Sequence, residues 1–64
     1  MKKSLSEIKE RIEALQVRLD ELLEEFDRLD ANHAYAQVDL AQQIASITTR
    51  LYELKNLYRT LGGE

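Results

Sequence analysis

Leu5, Ile8, Ile12, Leu15, Leu19, Leu22, Phe26 and Leu29 follow one another at alternating spacings of three and four residues, without a fault. That spacing puts all of them on one narrow stripe of an α-helix, whereas in a strand they would scatter over both faces. Such a stripe is a coiled-coil seam, with Leu5, Ile12, Leu19 and Phe26 at a and Ile8, Leu15, Leu22 and Leu29 at d. The flanking e and g places hold Lys9, Arg11, Gln16, Arg18 and Glu25, and only Leu23 widens the stripe. Ser4-Leu5-Ser6-Glu7 carries the residues of a capping box, in which Ser4 and Glu7 satisfy each other's free amides. A first helix is expected from about residue 4 to residue 30.

The pattern resumes at Leu40, Ile44, Ile47, Leu51, Leu54, Tyr58 and Leu61, and Gly62-Gly63 then supplies a helix stop. Between the two runs the phase slips. Continuing the first register would put His33, Ala36, Leu40 and Gln43 on the seam, while the second helix wants Ile44. A straight helix absorbs such a slip as a four-residue stutter, and no glycine or proline forbids it. Three features favour a bend. Asp30, Asn32 and His33 are weak helix formers gathered at the break, and Asn32 can adopt a left-handed conformation or cap the next helix. The seam is weakest there, at His33 and Ala36. The two arms are also nearly equal, about 40 Å each, as an antiparallel pair requires. The expectation is an all-α antiparallel two-helix hairpin, one domain over residues 1–64, with a turn at about 30–34 and a second helix from about 34 to 61.

One seam is little burial for a chain of 64 residues. Residues 31–49 carry a single formal charge, Asp39, where an exposed helix face is normally rich in Lys and Glu. Ala41, Ala45 and Thr48 flank the seam and allow close helix approach, so this stretch reads as a second contact surface. Tyr52, Asn56 and Arg59 extend it with the residue types that dominate interface energetics. A homodimer forming an antiparallel four-helix bundle is the simplest cover. Acidic side chains at Glu21, Glu24, Glu25, Asp27 and Asp30 form a solvated face near the tip that suits a basic partner.

Chemistry finds little support. Asp27, Asp30 and His33 share a three-residue spacing that metal ligands sometimes use, but a helix ending near Asp30 separates His33 from the pair. His33 is the only histidine and has no nucleophile placed beside it; no glycine-rich phosphate loop exists. There is no cysteine for a disulfide or thiolate site. No catalytic residue, cofactor or metal is expected. The net charge of −3 argues against nucleic acid as the partner: residues 1–31 hold nine acidic and six basic side chains, and residues 32–64 three of each. No apolar run reaches the ~20 residues of a membrane span, and no signal-peptide core follows Lys2 and Lys3, so a cytoplasmic location is expected.

The length, the paired helices and Leu29-Asp30-Ala31 resemble the plasmid-encoded Rop RNA-binding proteins, which are dimeric four-helix bundles. That resemblance implies RNA binding, through a basic and aromatic face that has no residue-by-residue match here. The segment with Asn32, Tyr35, Gln42 and Gln43 is also similar to the coiled-coil tip of Gre-type transcription cleavage factors. The expected function is a small non-enzymatic regulator or inhibitor that binds another protein, of the accessory kind phages and plasmids encode. The alternatives are a Rop-like RNA-binding bundle and a purely structural coiled coil, the latter a straight rod of about 85 Å.

Overall fold

The computed structural model describes residues 4–63. Two helices, α1 (Leu5–Arg28) and α2 (Ala34–Thr60), lie antiparallel and pack along their length. The long dimension is 46 Å, about half that of the continuous rod. The chain bends, and the phase slip is the mark of that bend.

Local chemistry sets each end. Ser4, extended at φ −76° and ψ 161°, starts α1 with the reciprocal box: the Glu7 amide donates to Ser4 Oγ at 3.2 Å, and the Ser4 amide donates to Glu7 Oε1 at 3.0 Å. These bonds satisfy amides that the first helical turn leaves without partners. At the far end Leu29 and Asp30 are both extended, two residues earlier than the periodicity suggests. Asp30 Oδ1 then accepts from the Asn32 amide at 3.0 Å and from His33 Nδ1 at 2.8 Å. Its carbonyl accepts from the His33 amide at 3.0 Å. A single 3-10 turn, Ala31–His33, forms on this cap and runs straight into α2. Asp30, rather than Asn32, is the residue that caps; Asn32 contributes only its backbone amide. Gln37 Nε2 reaches back to the Leu29 carbonyl at 3.4 Å and ties α2 to the end of α1.

The C-terminus of α2 closes with a Schellman turn. Gly62 takes φ +99°, its amide donates to the Arg59 carbonyl at 3.1 Å, and the Gly63 amide donates to the Tyr58 carbonyl at 2.9 Å. Gly63 is buried under the Tyr58 ring, where a Cβ would overlap the ring carbons. This turn displaces one expected core residue. Leu61, placed last on the seam by its spacing, is 50% exposed, because the chain leaves the helix there and Gly63 folds in beside Tyr58 instead.

The core is one layer thick. Ile8, Leu22, Leu40 and Leu51 are buried, and the other seam residues, Leu5, Ile12, Leu15, Leu19, Phe26, Leu29, Ile44, Ile47, Leu54 and Tyr58, are half-buried. A pair of helices can shield only the middle of its shared stripe, since each side chain meets one neighbouring helix and then water. The radius of gyration, 14.5 Å, exceeds the ~11 Å of a compact domain of this size. No helix among the described residues is long and apolar enough to cross a membrane.

Candidate interaction surface

With one stripe of each helix facing the other, the hairpin has two broad flanks. On one, Lys9, Ile12 and Glu13 of α1 line an open groove with Lys55, Tyr58, Arg59 and Gly63. On the other, Arg11, Ala14 and Leu15 face Ser46, Ile47 and Arg50. Helical spacing extends both flanks along the molecule. From Lys9 and Glu13 the first flank continues through Gln16, Asp20, Leu23 and Asp27 on α1. From Arg59 it continues back through Tyr52, Thr48, Ala45, Ala41, Val38 and Ala34 on α2.

That run on α2 is itself spaced 4, 3, 4, 3, 4 from Ala34 to Tyr52, a second heptad stripe beside the first. Ala34, Ala41, Ala45 and Thr48 are all exposed, and Val38 and Tyr52 are 58% and 69% exposed. Thr48 adds little polarity, because its hydroxyl already donates to the Ile44 carbonyl at 2.7 Å. Leu23, the residue that widened the first seam, comes out exposed on this same flank. Ala41, Ala45, Thr48 and Tyr52 lie along one exposed face of α2. Asn56 lies slightly further round α2, also exposed, and Arg59 joins Lys9 and Lys55 at the open end. Ala34, Val38 and Leu23 were not singled out as contact residues, although stepping back from Ala41 by three and then four residues reaches Val38 and Ala34.

Charge separates the two flanks. The second one mixes Arg11, Arg18, Glu21, Glu25, Asp39 and Arg50, and Arg18 pairs with Glu21 at 3.5 Å. Arg28 and Glu24, on the outer side of α1, pair at 3.8 Å. On the first flank Lys9, Lys55 and Arg59 sit near the open end, with Glu13 beside them, Asp20 midway and Asp27 near the tip. None of these six makes an ion pair with another described residue.

The turn holds the only imidazole. His33 and Asp30 satisfy each other locally, and this bond serves the cap of the 3-10 turn that leads into α2. No group of three His, Cys, Asp or Glu side chains among the described residues comes together where a metal ion could be held, so Asp27 does not join Asp30 and His33. Tyr35 is 94% exposed and stands on the outward side of α2, away from the strip.

Compared with protein-family models, with curated proteins and with solved structures, the chain gives no match.

Proposed function

We propose that this chain is a small non-enzymatic interaction protein, a helical hairpin that regulates or inhibits by laying one flank against another protein. The observation that supports it is the second heptad stripe on α2, uncharged from Ala34 to Tyr52 and left exposed by the hairpin. Heptad spacing is the pattern of a helix surface that meets another helix, since it keeps side chains in register along a neighbouring rod. Every face of an α-helix recurs at three and four residues, so what sets this one apart is its lack of charge, where natural exposed faces carry interleaved Lys and Glu. The small side chains set how closely a partner backbone approaches, while Val38, Tyr52 and Leu23 supply the apolar area.

The test is a comparison of two baits. Tagged wild type and Ala45→Glu are used for capture from host extract, with circular dichroism to check that both remain helical. A carboxylate in a dehydrated contact costs several kcal/mol, enough to remove a partner held through this strip. Proteins retained by the wild type and lost with Ala45→Glu are the expected outcome. Identical capture by both baits overturns the reading. Capture that ribonuclease abolishes replaces it with RNA binding, for which the basic cluster of Lys9, Lys55 and Arg59 offers a phosphate-facing patch.

A further inference from the structure

We infer that the partner on this flank is a second copy of the chain, docked antiparallel about a two-fold axis passing near Ala45 of α2. The inference rests on reading the flank as a contact surface, and adds what occupies it. Area and charge carry the two-fold pairing, and the uncharged strip selects the flank on which it forms.

The hairpin has an accessible surface of 5179 Å², against about 4,200 Å² for a compact monomer of 7.5 kDa. The excess, about 1,000 Å², is close to the ~800 Å² that each partner of a standard interface buries. One flank of a 46 × 21 Å body has that extent. A second hairpin, itself 46 Å long, covers such a flank from end to end.

Charge then selects the orientation. A two-fold interface must be complementary to itself. On this flank the basic side chains Lys9 and Lys55 lie level with each other at the open end, where they line one groove. Asp27 stands near the tip, level with Tyr35 of α2, each being four residues from Ala31 in the connection. With Ala45 on the axis and α2 antiparallel to its copy, residue 55 of one chain comes level with residue 35 of the other. Lys9 and Lys55 of each copy therefore arrive at Asp27 of the other, twice by symmetry. A parallel arrangement would stack basic end on basic end and tip on tip, which like charges oppose. The neighbouring flank separates its charges in the same sense, Arg11, Arg18 and Arg50 toward the open end and Glu21, Glu25 and Asp39 toward the tip, but it lacks the uncharged strip and Arg18 is already paired with Glu21.

The chain contains no cysteine, so one introduced thiol reports position without interference. Sedimentation equilibrium on the full wild-type chain is expected to give twice 7.5 kDa. Ala45→Cys should oxidise to a covalent dimer, whereas Val17→Cys, on the outer side of α1, should not. Asp27→Lys should weaken self-association roughly tenfold or more. Adding Lys9→Asp and Lys55→Asp in the same chain should restore it, a rescue that loss of folding could not produce. A wild type that stays monomeric at millimolar concentration overturns the inference. So does a dimer that cross-links no better at residue 45 than at residue 17, or one that Asp27→Lys leaves unchanged. The two readings fail separately. A monomer whose protein capture still depends on Ala45 removes the second copy and keeps the contact surface; a monomer indifferent to Ala45→Glu removes both.

Discussion

Leu51→Ala and Leu61→Ala separate the structure from the periodicity that predicts it. Spacing alone places both residues on the α2 seam and assigns them equal weight. In the hairpin Leu51 is 4% exposed and Leu61 is 50% exposed. Truncating a buried leucine removes its transfer free energy and leaves a void, costing about 2–5 kcal/mol. A domain of this length has a total stability of about 3–10 kcal/mol, so Leu51→Ala removes a large share of it. The corresponding fall in Tm is at least about 8 °C, taking ~4–8 °C per kcal/mol for small domains. Leu61 loses only part of its surface to the fold and leaves no cavity, so Leu61→Ala should cost under about 1 kcal/mol. Val17, 59% exposed on the outer side of α1, serves as the apolar control and should behave like Leu61. Thermal unfolding followed by circular dichroism at matched concentration measures all three. A Leu61→Ala shift as large as that of Leu51→Ala would refute the Schellman exit described above, and a large Val17→Ala shift would refute the register.

Nitroxide labels at exposed Ser6 and Thr60, diluted with unlabelled chain, should give an intramolecular distance near the 21 Å width of the hairpin; a separation of roughly 80 Å would mean a rod. Phe26→Ala should destabilise by about 2–5 kcal/mol in chemical denaturation if its half-buried ring packs as core, and a cost like that of Val17→Ala would show that it does not. Asp30→Ala removes the acceptor for the Asn32 amide and for His33, and should cost about 1 kcal/mol in the same assay, with Asp30→Asn recovering most of it. Gly62→Ala forces a Cβ onto φ +99° and should lower the Tm by several degrees, while Gly62→Asn should lower it less.

The seam was legible in the sequence because burial in a helix pair depends on spacing, and spacing is a property of the sequence alone. Its two ends were not. Leu29 continues the α1 pattern faultlessly, yet it is extended, since Asp30 captures the Asn32 amide and starts a new helical turn before α1 can continue. That competition is between hydrogen bonds of similar strength, and apolar periodicity carries no information about it. Asn32 and Asp30 are both good caps by type. Which one acts depends on where the backbone leaves α1, which is a tertiary outcome of the two arms packing in antiparallel register. Leu61 shows the same limit at the other end, where two glycines mark the stop but not which residue fills the last place beside Tyr58.

The flank proposed for interaction was legible in part, through an absence. A low-charge stretch suits a surface that need not be solvated, and residues 31–49 carry a single formal charge. Composition could not say that Leu23 and Asp27, on the other helix, belong to the same flank, because that depends on how the hairpin closes. Once closed, Lys9 and Lys55 share a groove although they lie at opposite ends of the chain. Charge that looks evenly mixed along α1 resolves into one flank that holds an ion pair, Arg18 with Glu21, and one that holds none. Unpaired charges at the rim of an apolar strip steer and orient an incoming surface more than they stabilise it. Their removal should therefore change the salt dependence of association before it changes its strength at high ionic strength. If Lys9→Ala with Lys55→Ala weakens association equally in 20 mM and 500 mM salt, the basic end is packing surface, and the orientation argued from its charge is wrong.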